Sequence, residues 1–96
     1  MATAYVSARS VAEKLRSPEN AGLLAVAIVV YDLASYGGGS ARVSEVLERC
    51  LAPKELCEKL LKQLESLRVV EIDGDRVRLT PMGRKVIELA RWGREL

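Results

Sequence analysis

Cys50 and Cys57 are the only thiols in the chain, and there is no histidine. A zinc site needs a close set of Cys and His ligands, typically with a C-x-x-C pair, so these two do not make one. No Ser or Cys has a plausible base beside it that would turn it into a nucleophile. Gly37-Gly38-Gly39 is followed by Ser40, without the Lys that a phosphate-cradling P-loop requires. The carboxylates are scattered over solvent faces, and Asp32 alone stands within an apolar helix, where it reads as a helix-end residue bonded to a neighbour. The sequence therefore predicts no enzyme, no metal and no cofactor. What remains is fixed charge, and its use depends on the elements that carry it.

Those elements centre on Val43 to Leu79, VSEVLERCLAPKELCEKLLKQLESLRVVEIDGDRVRL. The pattern predicts a short helix, a tight turn at Leu51-Ala52, a longer helix and a two-stranded hairpin. Ser44 has the side chain to cap the first helix, with Glu45 and Glu48 near its positive end. Pro53 is placed to start the second, where its missing N–H costs nothing. Leu56, Leu60, Leu64 and Leu67, with Cys57 and Leu61 beside them, follow the period of about 3.6 residues that buries one face. Val70, Ile72, Val77 and Leu79 alternate with charged residues around Asp73-Gly74, a strong hairpin signal.

From about Gly22 to Ala90 this pattern resembles a winged helix–turn–helix, as found in small bacterial and archaeal regulators of the MarR, PadR and ArsR type. The resemblance implies that the second helix of the motif lies in the DNA major groove, with the hairpin wing beside it. The groove-facing positions are then those opposite the leucine stripe: Lys54, Glu55, Glu58, Lys59, Lys62, Gln63 and Ser66. Of these Lys54, Lys59, Lys62 and Gln63 suit phosphates or base edges. Glu55 and Glu58 do not suit phosphates, and the mixed signs also fit an ordinary solvated face. Arg76 and Arg78 point away from the core and are placed to meet phosphates, although Glu71 opposite them can pair with either and Asp73 and Asp75 sit at the tip. In a helix–turn–helix the helices cross just beyond the turn, which brings Cys50 and Cys57 within reach of a disulfide. Two small buried apolar residues is the other reading of the pair.

The flanking sequence adds helices. Ala8, Val11, Ala12 and Leu15 form one stripe of a short helix that Ser7 or Ser10 can cap, and Ser10 with Glu13 has capping-box spacing. Pro18 to about Tyr36 reads as a long apolar helix. Its run without polar side chains, Ala21 to Tyr31, is well short of the roughly 20 residues of a membrane span. It has two apolar faces: Leu23, Val26, Val30 and Leu33 on one, Leu24, Ile28 and Tyr31 on the other. The second face needs a cover, from the N-terminal helix or from a partner subunit. Ala41–Val43 offers a brief third strand beside the wing. Thr80-Pro81 opens a final helix with Met82, Val86, Leu89 and Gly93 as its buried stripe and Trp92 at the edge.

With 96 residues the chain is one domain with a modest core. Hydrophobic residues make up 49% with no Phe, so that core is expected to be aliphatic, and disorder is not expected at that apolar content. A net charge of +2 does not by itself argue for nucleic acid. Both termini carry a surplus of basic residues, Arg9, Lys14 and Arg16 at one end and Arg84, Lys85, Arg91 and Arg94 at the other. The abundance of Arg over Lys and the many Glu lean towards a thermophile. No signal peptide is visible, and a cytoplasmic, archaeal setting is the expectation. The sequence thus predicts a mainly α, α+β winged helix–turn–helix with added N- and C-terminal helices. The expected function is binding of double-stranded DNA as a homodimeric transcriptional regulator, with Leu24, Ile28, Tyr31 and Trp92 at the dimer interface. The alternative is a winged domain used for protein–protein contact in a larger transcription, replication or degradation assembly.

Overall fold

Ser7 caps the first helix: its hydroxyl accepts from the Ser10 amide at 3.1 Å and satisfies one of the unpaired N–H groups there. The computed structural model describes residues 7–92, and the expectation for Gly93 and Arg94 lies outside them. Helix α1 is Ala8–Arg16, with Val11, Ala12 and Leu15 buried as the spacing predicts. A 3₁₀ turn at Pro18–Asn20 then leads into α2, Ala21–Tyr36. Among the described residues no helix is long and apolar enough to cross a membrane. Strand β1, Ser40–Arg42, runs directly into α3, Val43–Arg49, and α4 follows as Lys54–Ser66. Strands β2, Val70–Asp73, and β3, Arg76–Leu79, lead into α5, Pro81–Trp92. The fold is mainly helical with one small antiparallel sheet, in the strand order β1-β3-β2.

The core is aliphatic. Leu15, Val30, Val46, Leu64, Val69, Val70, Val77, Val86 and Ile87 are its largest fully buried apolar side chains, drawn from every helix and from the sheet. Helix α2 lies at its centre: Leu23, Val26, Ala27, Val30 and Ala34 are buried, which explains why it is apolar nearly all round.

Several local expectations shift. The buried face of α5 is Gly83, Val86, Ile87 and Ala90, with Met82 and Leu89 only partly buried, and the third strand is Ser40–Arg42 because Val43 already belongs to α3. Ser44 does not cap α3: β1 abuts the helix, so Arg42 holds the cap position and makes no side-chain cap bond. Pro53 is the residue before α4, and Lys54 is the first within it. The buried face of α4 is Cys57, Leu61 and Leu64, whereas Leu56 is exposed. Both sets fit helical spacing and share Leu64, and it is Cys57, tied to α3 through Cys50, that faces inward. In the hairpin Asp73 pairs with Arg76, so the two-residue loop is Gly74-Asp75. Gly74, at φ +64°, is first in that loop, the position where a II′ turn demands glycine.

Helix α4 ends in a Schellman motif. The Val69 amide donates to the Leu64 carbonyl and the Arg68 amide to the Glu65 carbonyl, each at 3.0 Å. The residue after the cap must be left-handed, and here it is Arg68, at φ +64°. Glycine has no Cβ penalty in that conformation. Arg68→Gly should therefore raise stability by about 1 kcal/mol in urea titration, because among the described residues no hydrogen bond or ion pair of the Arg68 side chain offsets the strain. An unchanged or lowered midpoint would refute that account.

Candidate nucleic-acid interface

On α4 the residues turned from the core are polar. Lys54, Glu55, Glu58, Lys59, Lys62, Gln63, Glu65 and Ser66 are all exposed. Glu55 with Lys59 and Glu58 with Lys62 have the i, i+4 order that supports a helix. Even so, no ion pair among the described residues uses Lys54, Lys59 or Lys62. The formal charge of this face cancels, three lysines against Glu55, Glu58 and Glu65. Leu56, 45% exposed, interrupts it between Lys54 and Lys59.

The sheet presents a second basic surface. The register pairs Arg42 with Arg76 and Ser40 with Arg78 across β1 and β3, and Asp73 with Arg76 and Glu71 with Arg78 across β2 and β3. Paired residues and those two apart along a strand share a face. Arg42, Arg76 and Arg78 thus stand together on the outer face, opposite buried Ala41 and Val77. Two of the three are already engaged. The Arg76 guanidinium donates to the Ser40 hydroxyl at 2.7 Å, and Arg78 Nε donates to Glu71 Oε1 at 3.0 Å. That exposed pair contributes only a few tenths of a kcal/mol, so a phosphate can displace it at little cost. The sequence reading missed Arg42, whose neighbour Arg76 lies far along the chain; its one signal was the charge at the end of a short strand-like Ser-Ala-Arg. No hydrogen bond or ion pair among the described residues joins this arginine face to the lysines of α4.

Leu24, Ile28 and Tyr31 are partly buried on one side of α2 and pack against the core. Tyr31 is engaged within the chain. Its hydroxyl donates to Glu88 Oε2 at 3.2 Å, and its ring meets the edge of Trp92 with centroids 6.1 Å apart. Arg84 and Arg91 lie over that ring at 5.7 and 5.9 Å, a cation–π arrangement. Arg91 also donates to Asp32 at 2.8 Å, which gives that carboxylate its partner. Helix α5 therefore supplies part of the cover that α2 requires, while Trp92 keeps 53% of its surface in solvent.

Between α2 and the α3–α4 turn runs an apolar groove of about 320 Å³, lined by Gly22, Ala25, Val29, Cys50, Leu51 and Leu60 among others. A disulfide joins Cys50 to Cys57 at its edge, with Cα atoms 6.5 Å apart. Leu51 beside it is fully exposed. No family model, no curated protein and no solved structure matches this chain.

Proposed function

We propose that the chain is a winged helix–turn–helix domain that binds double-stranded DNA, as a homodimeric transcriptional regulator. One observation carries the reading. Lys54, Lys59, Lys62 and Gln63 stand on the solvent face of the helix that follows a tight turn and precedes a hairpin, and its lysines are in no ion pair among the described residues. The outer sheet face, with Arg42, Arg76 and Arg78, supplies cations for a neighbouring stretch of backbone. In this arrangement phosphate contacts fix the register, and Gln63 and the lysines reach base edges.

Gel shifts with random duplex at increasing salt test the reading, since each phosphate contact contributes about 0.9 to the salt slope. The double substitution of Lys59 and Lys62 by Ala should weaken binding and flatten that slope by roughly two units. A slope left intact by this variant but flattened by replacing Arg84 and Lys85 would reverse the proposed orientation. No shift at low salt would end the DNA reading altogether. The dimeric part of the proposal assigns Leu24, Ile28, Tyr31 and Trp92 to the subunit contact, and a monomer in sedimentation at roughly tens of micromolar would remove it.

The exposed Leu56 favours a second reading. An apolar side chain in the middle of the α4 face suits a protein surface better than phosphates, and a winged domain that docks another protein would use it. Binding that persists at high salt, or an absence of duplex binding, is the outcome this reading expects.

A further inference from the structure

We infer that the Cys50–Cys57 disulfide is a redox latch, which holds the α3–α4 turn open and, once reduced, lets Leu51 close into the groove beside it. The inference stands apart from DNA binding. The two sulfurs are placed unequally. Cys57 is fully buried in the first turns of α4, whereas Cys50 is partly exposed at the end of α3. Helix α3 has seven residues, of which Val46 alone is buried. A helix that short does not hold itself, so its last turn depends on what tethers it. Among the described residues, neither the Leu51 nor the Ala52 amide donates to a backbone carbonyl, and the Cys50 amide reaches Leu47 only at 3.4 Å. The covalent bridge is therefore the principal restraint on the segment from Cys50 to Pro53.

That segment carries a leucine whose side chain is wholly in water at the rim of the apolar groove of about 320 Å³, whose floor is formed by Gly22, Ala25, Val29 and Leu60. Burial of such a side chain is favourable, and the bridge to Cys57 on one flank, with Pro53, which restricts the residue before it, on the other, keeps it out.

The opening step is a thiol–disulfide exchange with a dithiol. Its thiolate attacks the accessible Cys50 sulfur, forming a mixed disulfide and expelling Cys57 as thiolate, which the positive end of α4 favours. Cys57 takes up a proton. The second thiol of the reductant then attacks the mixed disulfide, closes its own ring and releases Cys50 as a thiol. Two electrons and two protons pass to the protein, and the dithiol leaves as a cyclic disulfide.

The test uses the full chain, air-oxidised or treated with dithiothreitol under native conditions, with methyl-labelled leucine, valine and alanine. Reduction should release two titratable thiols from folded protein. Cross-relaxation between the Leu51 methyls and those of Ala25 or Val29 should appear in the reduced form and be absent from the oxidised one. Cys50→Ser should show the reduced pattern without reductant. Thiols released only in denaturant would overturn the latch. So would Leu51 signals unchanged by reduction in the wild-type chain, or cross-relaxation of the Leu51 methyls with those of Ala25 or Val29 already present when oxidised.

Discussion

Replacing Gly83 with Ala should destabilise the protein by about 3 kcal/mol or more, enough to lower its melting temperature by over ~10 °C. Gly83 is the third residue of α5 and is buried. A Cβ built there would fall 1.9 Å from the Val69 carbonyl oxygen and 2.7 Å from its carbon. Neither atom belongs to a side chain that can turn away. The Val69 carbonyl accepts from the Thr80 amide at 3.1 Å, and the Thr80 hydroxyl donates to the Arg68 carbonyl and accepts from the Gly83 amide at 2.8 Å. To admit a methyl group, α5 would have to leave the sheet or break these bonds. Gly22→Ala is the control. There the new Cβ would meet Leu60 Cδ1 at 3.3 Å, the end of a flexible side chain, and alanine gains up to about 1 kcal/mol of helix propensity. Denaturant unfolding should place this variant within about 1 kcal/mol of the wild type. Similar midpoints for the two variants would show that the α5–Val69 contact is not tight.

Loss of the disulfide is the second large effect. The bridge links residues seven apart in sequence, and in the chain-entropy account a loop that small is worth about 2.5 kcal/mol. The double variant Cys50→Ala, Cys57→Ala should melt roughly 10–20 °C lower than the oxidised protein. Reductant should lower the wild-type midpoint in the same direction and leave that of the variant unmoved. Closure of Leu51 into its groove would make the fall in reduced wild type smaller than the loop term alone. Equal melting temperatures with and without reductant would mean that the bridge constrains nothing the fold does not already fix.

Much of the fold was legible because it depends on local pattern. The stripe Val11, Ala12 and Leu15, the apolar α2 and the alternation of Val70, Ile72, Val77 and Leu79 each state their burial in the order of residue types. The third strand was legible too, as a short segment before α3, one residue from where the structure places it. What escaped was set by distant backbone. Nothing around Gly83 announces that the Val69 carbonyl fills the space where a Cβ would stand, and no residue type signals that Arg68 must be left-handed. Leu56 and Cys57 are neighbours with equal claim to the core under helical spacing, and a covalent link to another helix decides between them. On the site, exposure of the α4 lysines could be read from the sequence. The company that Arg76 and Arg78 keep could not, because Arg42 joins them through strand pairing and Ser40 and Glu71 bind them across it.

The last strand in the sequence, β3, is the middle strand of the sheet. Its two neighbours reach it by very different routes. From β2 it is separated by the two-residue loop Gly74-Asp75, and a hairpin of that kind closes in roughly microseconds. From β1 it is separated by all of α3, α4 and β2, so the pairing of Ala41 with Val77 closes a long loop whose entropy cost grows with the chain enclosed. Docking of Ser40–Arg42 is therefore expected to follow the collapse of the two helices between them, with the bond from the Val43 amide to the Asp75 carbonyl, 2.7 Å in the folded chain, formed in that late step. In the order of assembly this topology predicts, the strand written first is the one that arrives last.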